Sequence, residues 1–173
     1  VDIEQSVQAM VDFDGPVYLR LLRGKVPRVL DRFEGYQFEI GKAKRLLDGE
    51  DALIISSGLM TMRAIEAADE LREKGTSVAV LHCATIKPLD TDTILEEVRR
   101  YPERPVFVAE NHSIIGGLGE SIASLLMKEG VSVKFNQIGL PDEFLDAGAL
   151  PTLHDRYGIS TKEVIKTLKQ HVA

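Results

Sequence analysis

From residue 36 onward one pattern repeats along the chain. Short runs rich in Val, Ile and Leu alternate with longer stretches whose apolar residues recur at helical spacing. The runs are ALIISS (52–57), SVAVLHC (77–83), PVFVAE (105–110) and SVKFNQI (132–138). A strand that is apolar along its whole length is buried on both faces, which is the situation of a parallel sheet covered by helices. The alternation therefore predicts a three-layer α/β/α fold around a mostly parallel sheet.

The intervening stretches read as helices. Met60 to Lys74 places Met60, Ala64, Ala67, Ala68 and Leu71 on one face, with Gly75 as its stop. Asp90 or Thr91 caps a helix over 92–100. Gly119 to Lys128 is a third, ended by Gly130. Thr161 to His171 is a last one, capped by Ser160, with a Lys-rich end that complements the helix dipole. YQFEI (36–40) is a further short strand, and KAKRLLDG (42–49) a turn or short helix. Residues 139–158 read as irregular, with a helical turn at Glu143–Asp146.

The first 35 residues have a different character. Ile3, Val7, Met10 and Val11 recur as at the end of a helix, Asp14-Gly15-Pro16 is a turn, and VYLRLL (17–22) is a strand. RGKVPRVLDRFEGY (23–36) has no period and reads as a linker. Two units follow, a tail with linker over 1–35 and a domain over 36–173. The chain opens on Val1, as a piece of a longer polypeptide would.

Composition sets outer limits. With 173 residues, 44% apolar and 28% charged, one domain with a sizeable core is expected. The net charge of −6 argues against nucleic acid or an anionic membrane as partner. No apolar run approaches the roughly 20 residues of a membrane span. The single Cys83 has no partner for an internal disulfide, which suits a reducing, cytoplasmic compartment.

The stretch most suggestive of chemistry is VFVAENHSIIGGLGESI (106–122), a strand followed by a glycine loop and a helix. A dinucleotide fingerprint needs a third glycine, and Ile122 holds that place. Glu120 at the helix start would repel a phosphate. The loop therefore reads as a tight strand-to-helix turn. Glu110 and His112 flank it at a strand's carboxyl end, where they could share a proton. Alternatively Glu110 caps backbone amides and His112 lies at a subunit contact, and this is the reading preferred here. His82 and Cys83 are strand neighbours, so they point to opposite faces and make no nucleophile pair. Ser56-Ser57-Gly58 reads as a helix cap, and His154 with Asp155 matches no metal motif. The basic stretch LRLLRGKVPR supplies Arg20, Arg23, Lys25 and Arg28, which suits either an anionic substrate or a solvated linker. No complete catalytic set emerges, so the chain reads as a supporting domain.

Three stretches, DGPVYLRLLRGKVP (14–27), LHCATIKPLD (81–90) and VFVAENHSIIGGLGESIASLL (106–126), together resemble the C-terminal region of the transketolase family. ALIISSGLMTMRAIEAADEL (52–71) fits the same pattern, and the resemblance covers nearly the whole chain. It implies a five-stranded, mostly parallel sheet with one antiparallel edge strand over residues 36–173. It implies that residues 1–35 are the tail of a pyrimidine-binding domain and a linker. The complete enzyme would transfer a two-carbon ketol unit between sugar phosphates on thiamine diphosphate with a divalent metal, magnesium. Neither is expected to bind this fragment alone, because the catalytic glutamate and the diphosphate motif would lie elsewhere. The implied partners are an N-terminal transketolase section and a second copy in a homodimer, with no nucleic acid and no membrane. Arg23 matches the family's arginine that contacts the sugar phosphate, although Leu22 replaces the serine before it and Arg20 stands close by. Glu110 and His112 would face a subunit or domain contact. The β subunit of 2-oxoacid dehydrogenases, deoxyxylulose-phosphate synthase and a partner- or anion-binding regulatory module are the competing readings.

Overall fold

The computed structural model describes residues 1–22 and 26–172. Five strands form one sheet: β1 (Ala43–Leu47), β2 (Ala52–Ser56), β3 (Val78–Cys83), β4 (Val106–Ser113) and β5 (Phe135–Leu140). Their spatial order is β1-β3-β2-β4-β5. β3, β2, β4 and β5 run parallel, and β1 pairs antiparallel with β3 at the edge. Among the described residues six α-helices accompany them: α1 (Asp2–Val11), α2 (Leu59–Arg72), α3 (Thr91–Arg100), α4 (Leu118–Lys128), α5 (Leu150–Arg156) and α6 (Thr161–Lys169).

The central strands are buried end to end, as their unbroken Val/Ile/Leu runs require. Alternate side chains feed two cores. Ile54, Val80 and Phe107 pack under α2 and α6, against Met60, Ala64, Ala68, Val164 and Leu168. Leu53, Ile55, Leu81 and Val108 pack on the other face, against Ile94 and Val98 of α3 and Leu118 and Ile122 of α4. Each fully buried Leu, Ile or Phe contributes about 1.5–3 kcal/mol. Asp90 caps α3 as the sequence indicates: its carboxylate accepts from the Thr93 N–H at 3.3 Å and the Thr93 hydroxyl at 2.9 Å. It also accepts from the Ala43 N–H at 2.9 Å, tying α3 to β1.

Several sequence expectations fail. YQFEI is not a strand; the edge strand is Ala43–Leu47, inside the stretch read as a turn or short helix. Its Ala43 and Leu47 are buried while Lys44 and Arg45 are not, so pairing with β3 overrides a pattern too short to show a period. Tyr36 and Phe38 instead meet α1. VYLRLL makes no strand over its residues 17–22 and joins no sheet among the described residues. Residues 150–156 form α5 with Pro151 in its first turn, whereas Glu143–Asp146 makes no helical turn. Ser160 stands at the start of α6, but its hydroxyl makes no capping bond.

Candidate functional site

In an open α/β sheet, side chains converge outside the carboxyl ends of the strands, near the point where successive connections diverge. Here β2 leads to β3 on one side, while β4 lies on its other side and leads on to β5. Two polar assemblies occupy this edge.

The first is the glycine corner. Glu110 is nearly inaccessible, and its carboxylate accepts from the backbone N–H groups of Leu118 and Gly119, each at 2.8 Å. Glu120 accepts from the Gly116 N–H at 2.8 Å. Glu110 thus takes two orphan donors of α4 and Glu120 the loop amide just before it, where the helix dipole also favours negative charge. The corner has the donor arrangement of a phosphate cradle, and a tethered anion fills it. The glycines give this anion room: a Cβ on Gly117 would lie 2.1 Å from Glu110 Oε2. Capping of backbone amides is therefore what Glu110 does. His112 lies half-buried on the outer part of β4, with Nδ1 3.0 Å from the Ser113 carbonyl oxygen. The structure does not join Glu110 and His112 as a proton-sharing pair: the Glu110 oxygens are directed to α4 and His112 to its own strand.

The second assembly was not legible in sequence. Ser56 and His82 face each other across β2 and β3, on the α2 side of the sheet. The Ser56 hydroxyl lies 3.0 Å from Thr61 Oγ1, and Thr61 Oγ1 lies 2.7 Å from His82 Nδ1. His82 Nε2 lies 2.9 Å from Asp2 Oδ2, and Tyr36 donates to Asp2 Oδ1 at 2.6 Å. Ser56 is thus part of this chain rather than a helix cap. Burial alone would raise the Asp2 carboxyl, but the hydrogen bonds from His82 and Tyr36 hold it below the ordinary aspartate value. Burial, followed by the Asp2 bond and charge, pushes the Tyr36 hydroxyl upward. Ser56, Thr61 and His82 are each at most 2% exposed, so this row is no hydrolytic triad: no substrate reaches it. A histidine inside an apolar strand announces a buried partner. Asp2, however, lies 80 residues away, and no spacing rule finds it.

Cys83 packs in the core opposite to the His82 side, as strand alternation requires. Burial, with the Asp90 charge, pushes its thiol up to about 12. Arg20 donates through Nη2 to the Asn111 carbonyl oxygen at 3.1 Å, which lays the N-terminal segment across the end of β4. Arg23 lies outside the described residues. At the opposite edge a polar cavity of about 600 Å³ is lined by Arg45, Glu97, Arg100, Tyr101 and Arg104. Its three arginines all lie within 4 Å of the same buried Glu97 carboxylate, and Asp48 and Glu96 pair with Arg45 and Arg100 beside it. Among the described residues no helix is long and apolar enough to cross a membrane.

Residues 41–164 match the model of the transketolase C-terminal domain. The chain belongs to the transketolase family. A transketolase family protein of Sinorhizobium fredii is 61% identical over 170 residues, covering 98% of this chain and 49% of the relative. A transketolase C-terminal section of Methanocaldococcus jannaschii is 34% identical over 166 residues, covering 96% of this chain and 51% of the relative. Among solved structures, a split gene transketolase in an inactive beta4 tetramer superposes with a TM-score of 0.86 at 32% identity. That match covers 96% of this chain and 53% of the other. The chain spans about half the length of these relatives.

Transketolase-family enzymes use thiamine diphosphate, and the described residues do not fit that group. The backbone amides at the start of α4 are closed to a diphosphate, because Glu110 and Glu120 already accept from them. No three His, Cys, Asp or Glu side chains gather for its metal among the described residues.

Proposed function

We propose that this chain is the C-terminal part of a transketolase that transfers a two-carbon ketol unit between sugar phosphates on thiamine diphosphate. An N-terminal section on a separate chain would grip the cofactor. The supporting observation is the match, at a TM-score of 0.86, to about half of a chain from a split gene transketolase. In this reading residues 1–35 are the tail of a pyrimidine-binding domain and its linker, and residues 36–173 support a homodimer and border the substrate channel. Arg23 contacts the sugar phosphate and contributes remote binding energy. His112 lies at a subunit or domain contact beside the Glu110 corner. The cytoplasm is the compartment of such an enzyme.

The test is reconstitution. The complete polypeptide carrying these residues, mixed with its cognate N-terminal section, transfers a ketol unit from a ketose phosphate to an aldose phosphate. Absence of transfer in every such mixture refutes the proposal. In the reconstituted enzyme Arg23→Ala raises KM for phosphorylated sugars about tenfold or more, the scale of a charge-assisted phosphate contact. An unchanged KM removes Arg23 from the site.

A further inference from the structure

The segment that carries Arg20 is hydrogen-bonded to the strands of the sheet at two places. At one, Arg20 reaches the Asn111 carbonyl oxygen. At the other, Asp2 on the first turn of α1 meets His82. The remaining polar side-chain contacts of α1 to other parts of the chain run to residues 28–38, the linker and the start of the domain: Glu4 to Arg28, Gln5 to the Phe38 N–H and Asp2 to Tyr36. Among the described residues, Asp2–His82 is the only hydrogen bond from α1 to a strand. Apolar burial adds little to it: Ala9 and Met10 are only partly buried, Ser6 is the one buried residue of α1, and Ile3, Val7 and Val11 are all at least half exposed.

We propose that His82 is a positioning residue, which through Asp2 registers the N-terminal segment, Arg20 included, against the carboxyl edge of the sheet. Its consequence for catalysis rests on the transketolase reading; its mechanical role does not. The imidazole suits the task because it is held on both sides. With Nε2–H donating to Asp2, Nδ1 is left as an acceptor. Thr61 O–H fills it at 2.7 Å, and the Ser56 hydroxyl lies 3.0 Å behind. Every donor in the row then has an acceptor. Ring rotation breaks both bonds inside a site with almost no access to water, where unpaired polar groups are costly. Asp2 is thereby referenced to β2, β3 and α2, the most deeply buried elements of the domain. Tyr36 closes the other carboxylate oxygen, so the linker is referenced to the same point.

Three variants in the complete assembled enzyme test this. Asp2→Ala and His82→Asn break the joint, whereas His82→Gln retains an amide donor near the position of Nε2. With Asp2→Ala, hydrogen exchange of the α1 amides accelerates about tenfold or more, the scale of one charge-assisted bond. KM for phosphorylated sugars rises about tenfold while kcat stays within about twofold, the split expected of displaced binding groups. His82→Asn behaves likewise, and His82→Gln recovers most of both effects. Unchanged α1 exchange overturns the joint whatever the activity. Faster exchange with an unchanged KM overturns the positioning role. A wild-type assembly without ketol transfer refutes the transketolase reading instead, and the exchange comparison then decides the joint on its own. Asp2 is partly exposed at a helix start, so its variant keeps the test valid if the His82 variants fail to fold.

Discussion

Glu110 and Gly117 are fitted to one another at the scale of single atoms. A methyl group on Gly117 would overlap a carboxylate that already accepts two hydrogen bonds. Its φ is −101°, so alanine there suffers from lack of space and not from backbone strain. Gly117→Ala is expected to lower stability by about 1–3 kcal/mol, the usual cost of overpacking, read from denaturant midpoints. A midpoint equal to wild type would mean that the carboxylate moves aside freely. Glu110→Gln leaves a weaker acceptor set and should fall by about 1–2 kcal/mol by the same measurement. Cys83 offers a residue-scale check on the core. A buried thiol pushed up to about 12 carries almost no thiolate near neutrality. It should resist alkylation at pH 8 in the native chain and react readily in denaturant. Rapid native labelling would show that β3 opens.

At the scale of elements, Asp90 joins a helix cap to an edge strand. Burial alone would raise its carboxyl, but the Ala43 N–H and the two Thr93 bonds hold it below the ordinary aspartate value of 3.8. A group with a depressed folded value contributes stability above its unfolded value and loses it as pH falls through the folded one. Asp90→Asn should therefore be less stable than wild type near neutrality, and the gap should narrow below about pH 4. A gap independent of pH would place the effect in packing. Legibility follows the same logic of local against distant causes. β2, β3 and β4, α2, α3 and α4 were readable because burial on both faces, helical spacing and a capping aspartate are written within each stretch. β1 was not, since AKRLL becomes a strand only beside β3. α5 was not, because seven residues are too few to show a helical period against a background of Gly and Pro. At the edge, Glu110 as a cap was among the stated readings. The Ser56–Thr61–His82–Asp2 row was hidden because its members meet only after β2, β3, α2 and α1 have assembled.

For the whole molecule, the uncovered apolar face of the N-terminal segment is the main asymmetry. Ile3, Val7, Val11, Phe13, Val17 and Leu21 are all more than 40% exposed. If residues 1–35 are the tail of another domain, that domain covers them. Val7→Asp in the complete polypeptide should then weaken reconstitution of activity with the N-terminal section, while the hydrogen exchange of β2 to β4 stays as in wild type. Full activity in that variant would leave the face without the assigned role.

The filled corner at α4 also bears on how this edge can change over time. A free phosphate arriving there competes with a carboxylate tethered eight residues away, whose effective concentration is set by the chain and not by the cell. Acquiring an anion receptor at this place requires losing Glu110 first, and every intermediate without it carries bare amides in a closed space. That instability separates the scaffold from a receptor built on the same glycines.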